Sequence, residues 1–130
     1  MIKKNMDESK KGFMKYLGGI SFKEIDERNF EFSSKIQDVH LNTGGIAHGG
    51  YLATIADAGM GTAAHIIAAG KRCVTINLDT KFISAGKLGN LLIGKVKILK
   101  KTKTLIFITC EINGPDEIIA HANGTWKILN

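Results

Sequence analysis

The chain has 130 residues, 44% of them hydrophobic, with 15 Gly, one Pro and a formal net charge of +6 from 18 Lys+Arg against 12 Asp+Glu. That length supports one core and hardly two, so the expectation is a single domain over residues 1–130 with an N-terminal helical arm over residues 1–20. Ordinary apolar content without low-complexity tracts excludes intrinsic disorder, collagen-like repeats and multi-domain architectures.

Cys73 and Cys110 share no CxxC spacing and cannot alone staple a scaffold, so both read as small core residues. The first ten residues are basic with no apolar run behind them. No secretory signal is expected from them, and the protein is expected to be cytoplasmic. The weakly polar stretch from Ile46 to Gly70 carries His48, Asp57 and His65, which favours a buried helix of a soluble protein over a membrane span.

In chain order, Asp7 to Leu17 places Phe13, Met14 and Leu17 at helical spacing among Lys10, Lys11 and Lys15, and Gly18-Gly19 should end that helix. Phe22 to Ile25 reads as a brief strand. Asn29 to His40 reads as a half-buried one, with Phe30, Phe32, Ser34 and Ile36 on one side. Leu41 to Ala47 is a loop around Asn42-Thr43-Gly44-Gly45. His48 to Ala69 is the one long helical pattern, and it is rich in Ala and Gly. Gly59 and Gly61 each cost about 1 kcal/mol relative to Ala in a helix, so something must pack closely against it. Cys73 to Ile83, Asn90 to Lys100, Thr104 to Asn113 and Glu117 to Leu129 are strands, and their short links predict antiparallel neighbours. The expected class is α+β, an antiparallel sheet curled around a long small-residue helix.

The chemistry concentrates between Asn42 and Asp57. Gly49 and Gly50 fall where a loop becomes a helix, so bare N–H groups and the positive end of the helix dipole meet a backbone without Cβ atoms. Such a junction either serves the turn alone or forms an oxyanion hole for acyl transfer. Asp57 has Ala53, Thr54, Met60 and Gly61 as its helical neighbours. An acidic residue in so apolar a helix belongs at a solvent gap or in a site. Gly49 and Asp57 are eight residues apart, about 12 Å along a helix, so one carbonyl cannot meet both within a chain. A shared site then needs a second copy of the helix, which predicts a two-fold dimer. Asn42 either caps its loop or holds a water or carbonyl, and His48 either caps the helix or acts as acid or base. His40, His65 and His121 lack ligand spacing, so no metal is expected, and the absence of GxSxG removes a Ser-His-Asp hydrolase.

Asn42-x5-His48-Gly49-Gly50, with Asp57 seven residues after Gly50 and a last strand ending in Lys127-Ile128-Leu129, resembles the hotdog-fold acyl-CoA thioesterases of the PaaI-like, phenylacetate-degradation class. The resemblance runs from about Phe30 onward. It implies a hotdog fold that assembles as a dimer or dimer of dimers and hydrolyses acyl-CoA across the dimer interface, with CoA as part of the substrate and no separate cofactor. Carried to this sequence, it implies Asp57 as general base or nucleophile and the Gly49 N–H as carbonyl polariser. Asn42 and His48 would support water and carbonyl, and Thr75 would be a hydroxyl helping to hold the water. Gly50, Lys71, Arg72, Lys101 and Lys103, with Lys100, are then candidates for CoA contact, against the plainer reading of solvated strand-end cations. A hotdog dehydratase and a non-catalytic acyl-CoA sensor are the alternatives, and Asp57 argues against the sensor. The basic residues are not interleaved with aromatics, so nucleic acid is not an expected partner, and Asp57 in the one weakly polar stretch argues against a membrane.

Overall fold

Period-two alternation along Phe30, Phe32, Ser34 and Ile36 buries all four side chains on one face, where they begin the core. The computed structural model describes residues 11–130. Strands β1 (Ser21–Glu24), β2 (Asn29–Lys35), β3 (Cys73–Phe82), β4 (Leu91–Lys101), β5 (Leu105–Asn113) and β6 (Ile118–Ile128) form one antiparallel sheet in the order β1-β2-β4-β5-β6-β3. A short helix α1 (Gly12–Leu17) precedes it, and the long helix α2 (Gly49–Ile67) packs across β2 to β6. Ile55, Ala56, Met60, Ala63 and Ala64 of α2 are fully buried against Phe32, Ile98, Ile106, Ile108 and Trp126 of the sheet. This is the α+β hotdog arrangement. No helix among the described residues is long and apolar enough to cross a membrane.

The structure departs from the sequence expectations in three places. The β2 strand stops at Lys35, and Asp38–His40 is a 3-10 turn. Helix α1 ends as expected at Gly18 (φ 94°), whose N–H donates to the Lys15 carbonyl. Of its apolar stripe, though, only Leu17 is buried, while Phe13 is 64% exposed. The expected start of this helix, Asp7 to Lys10, lies outside the described residues.

The third departure is topological. Short links do join neighbours in β4–β5 and β5–β6, but β3 pairs only with β6, so the link from β3 to β4 crosses three inter-strand gaps. That is about 14 Å, well within reach of the residues between Phe82 and Leu91. The crossing is held by backbone bonds to three separate parts of the chain: Ile83 N–H to the Ile119 carbonyl of β6, Ala47 N–H, just before α2, to the Gly86 carbonyl, and Gly89 N–H to the Ile36 carbonyl just after β2. Gly86 is where the crossing is tightest, since a Cβ there would lie 2.8 Å from Ile36 Cδ1.

As a result β3 is an edge strand of ten residues, half-buried at best, with Val74, Ile76 and Phe82 exposed. Its register against β6 slips between Thr75 and Asn77, a bulge at Ile76 directly after a candidate site residue. Bulges bend a strand and re-aim the neighbouring side chain.

Candidate active site

Helix α2 begins at a built corner. His48 is its N-cap, with Nδ1 accepting the Gly50 N–H at 2.8 Å. Accepting at Nδ1 leaves the ring proton on Nε2, so His48 is neutral and can donate through Nε2. The Gly50 N–H is thereby taken, whereas the Gly49 N–H meets no acceptor among the described residues. A Cβ on Gly49 would sit 3.3 Å from the ring of the exposed Phe82, which would have to give way by a few tenths of an ångström. Asn42 shapes the preceding loop: its Oδ1 accepts the Gly44 N–H at 2.9 Å and the Ile46 N–H at 3.2 Å. The oxygen is spent on the turn, and the side-chain NH₂ remains as a donor.

Two turns along α2, Asp57 is half-buried, and its Oδ1 accepts the Thr75 hydroxyl at 2.7 Å. The bulge on β3 and the small α2 residues around Asp57 permit that pairing, and it fixes the carboxylate without using Oδ2. Asp57 and Thr75 border an open depression of about 290 Å³ that continues along α2 past Gly61 and Thr62 to His65, with Cys73 and Trp126 on its other sides. Burial pushes the Cys73 thiol up from its ordinary value, so it is a protonated thiol at neutral pH and a poor nucleophile beside Asp57. Cys110 sits in the core as expected, pushed up to about 12 by burial and by the Glu111 charge.

A second depression, of about 320 Å³ and mostly apolar, lies between α1 and the start of α2 and includes Phe13, Leu17, Val39, Leu41 and Tyr51 beside His48 and Gly50. His40 organises this side, a role its sequence position did not reveal. Its Nδ1 accepts the Gln37 N–H at 2.9 Å, so Nε2–H donates to the Leu17 carbonyl at 2.7 Å. Its ring stacks on Tyr51 at 3.9 Å between centroids, and the Tyr51 hydroxyl bonds Ser34. The buried trio ties α1, β2 and α2 together.

The candidate cations gather at the opposite end. Lys71 and Arg72 join α2 to β3, Lys101 ends β4, and Lys103 lies in the turn to β5. Cys73 pairs with Ile128 and Leu105 with Lys127, so both turns flank the end of β6. All four cations are exposed.

The family model of the thioesterase superfamily matches residues 44–118, which include Gly49, Asp57 and Thr75. The chain belongs to the thioesterase superfamily. Membership makes it a thioester hydrolase. It is 26% identical over 122 residues to the human acyl-coenzyme A thioesterase 13, covering 92% of this chain and 87% of that protein. Its fold is similar to that of the PaaI protein from the Escherichia coli phenylacetic acid degradation operon, with a TM-score of 0.83 at 21% identity over 93% of this chain and 86% of that one. A thioesterase from Streptococcus pneumoniae solved with coenzyme A superposes with a TM-score of 0.76 at 19% identity, covering 90% and 91%.

Proposed function

We propose that this thioesterase hydrolyses acyl-CoA, with the Asp57 carboxylate activating water at a site completed by a second copy of the chain. The observation that carries the reading is the Thr75–Asp57 hydrogen bond, which holds a carboxylate in an open depression with one oxygen unspent. Water bound at Oδ2 gives a proton to Asp57 as its oxygen adds to the thioester carbonyl carbon. The carbonyl oxygen takes the developing charge against a Gly49 N–H. Collapse breaks the C–S bond and returns the proton to the departing CoA thiolate. Asn42 and His48, with an NH₂ and an Nε2–H available, hold the carbonyl and the water at the same corner. Thiol release from a panel of acyl-CoAs tests the reading, and binding of CoA without turnover would replace it with the sensor.

The separation of Gly49 from Asp57, about 12 Å along α2, supports a shared site. The β3 edge supports it too, since a ten-residue strand paired on one side only, with Val74, Ile76 and Phe82 exposed, offers a template for a second β3 across a two-fold axis. Light scattering should therefore give a dimer or a dimer of dimers. An active particle of one chain mass would refute the shared site.

The +6 charge supports CoA as the leaving group, with Lys71, Arg72, Lys101 and Lys103 meeting its phosphates. Phosphate contacts remote from the carbonyl are alike in ground and transition states. Lys71→Ala with Arg72→Ala should thus raise KM for acyl-CoA with little change in kcat. The effect should shrink with ionic strength, because screening reaches about 8 Å at physiological salt. Acyl-pantetheine, which lacks the nucleotide, should respond to neither change, and steady-state kinetics on both substrates at two salt concentrations checks this.

A further inference from the structure

Every polar atom of His40 is committed. Its N–H donates to the Gln37 carbonyl at 2.9 Å, its carbonyl accepts the His48 N–H at 2.8 Å, and its ring nitrogens meet the Gln37 N–H and the Leu17 carbonyl. The residue is 2% exposed, so it reaches the reaction only through its neighbours. The bond to His48 matters most, because His40 and His48 stand at the two ends of the loop that carries Asn42. Inside them, the Asn42 N–H donates to the Ile46 carbonyl at 2.8 Å and Leu41 bridges Ala47, which completes an antiparallel neck. Moving the His40 carbonyl therefore moves His48, the N-cap that orients the first N–H groups of α2. Two contacts keep that carbonyl in place. Nδ1 and the Gln37 N–H close the Asp38–His40 turn from the side-chain side, opposite the backbone bond between the same two residues. The Leu17 carbonyl, at the end of α1 and so without a donor in its own helix, takes the Nε2 proton and keeps the Nδ1 lone pair facing Gln37. The other tautomer would set one N–H against another.

The geometry points to His40 as a positioning residue for the Gly49 corner, acting through the Gln37 turn and the neck of the Asn42 loop without touching substrate. The inference rests on the hydrolysis reading and extends it to the N-terminal helix. Helix α1 supplies the carbonyl that sets a tautomer, the tautomer closes a turn, and the turn places the cap of α2. The ring also lies flat on Tyr51, the third residue of α2, with 10° between the planes. That stacking adds packing, whereas the Nδ1 bond sets direction.

Two substitutions separate these roles. In His40→Asn the side-chain oxygen stands where Nδ1 stood and still accepts the Gln37 N–H, but the shorter residue loses Leu17 and most of the stacking. In His40→Gln the amide nitrogen stands where Nε2 stood and still donates to the Leu17 carbonyl, but the Gln37 N–H loses its acceptor. The Asn variant removes more packing and should have the lower Tm. It should nevertheless keep kcat for acyl-CoA within about threefold of wild type, whereas His40→Gln should lose about 10- to 100-fold in kcat with KM within about twofold, the mark of a displaced corner. A purely structural residue would order the two variants the other way, so kcat that follows Tm, or equal losses in both, overturns the assignment. Amide hydrogen exchange by NMR reads the same link without turnover: the His48 N–H should exchange about 3- to 10-fold faster in His40→Gln than in His40→Asn, the worth of one hydrogen bond. A wild type that shows this exchange order but releases no thiol from acyl-CoA would overturn hydrolysis and keep the positioning role. Active enzyme with equal His48 exchange in both variants does the reverse.

Discussion

Asp57→Asn should lower kcat for acyl-CoA hydrolysis by about 10²–10⁴, the usual worth of a positioned general base. The substitution is nearly isosteric, and an Asn oxygen still accepts the Thr75 hydroxyl that now meets Oδ1 at 2.7 Å. What is lost is the capacity to take a proton. Asp57 is half-buried and in no ion pair among the described residues, so thermal stability should stay close to wild type. CoA affinity should also hold, since the exposed cations lie at the far end of α2 from Gly49 and are untouched. Single-turnover thiol release alongside CoA titration separates the two quantities. Unchanged turnover in this variant would take the carboxylate out of the mechanism.

Local patterns were legible in the sequence wherever one element determined its own environment. The alternation in β2 and the apolar-to-small pattern of α2 each identify a face, and those faces are the buried ones. Connectivity was not legible in the same way. A short link after β3 looks like a hairpin because sequence spacing carries no direction. The bonds that send it across the sheet, from Ala47, Gly89 and Ile83, belong to residues far apart in the chain. Phe13 sits at core spacing yet stays exposed, because α1 is six residues long and only its C-terminal end reaches the core.

The candidate site divides along the same line. Asp57 and the Gly49 corner stand out from composition, since a carboxylate in a small-residue helix and a glycine pair at a helix start are each anomalous in one dimension. Thr75 entered only through the resemblance, and the bulge at Ile76 that sets it beside Asp57 leaves no mark in the sequence. His40 was set aside for lack of ligand spacing. Its role comes from the Gln37 N–H and the Leu17 carbonyl, each of which fixes one ring nitrogen and neither of which the spacing of histidines records.

The two glycines of α2 should respond in opposite directions to the same substitution. Helix propensity alone favours Ala at both by about 1 kcal/mol. At Gly61 a Cβ meets only Trp126 Nε1 at 3.4 Å, an ordinary contact, so Gly61→Ala should raise Tm by a few degrees while narrowing the depression beside Asp57. At Gly59 a Cβ would lie 2.2 Å from Phe32 Cδ2. The ring cannot retreat, because on its far side a Cβ at Gly94 would already stand 2.1 Å away, so Phe32 fills a slot made by one helix glycine and one strand glycine. Overpacking a closed core costs about 1–3 kcal/mol, and with both walls fixed the upper part of that range applies. Gly59→Ala should therefore lose about 2 kcal/mol net of its propensity gain, and Gly94→Ala, with no such gain, about 3 kcal/mol. Pairing Gly59→Ala with Phe32→Leu should return part of the loss, a coupling that a thermal double-mutant cycle measures directly. If Gly59→Ala instead raised Tm as Gly61→Ala does, the close packing of α2 on the sheet through Phe32 would be wrong.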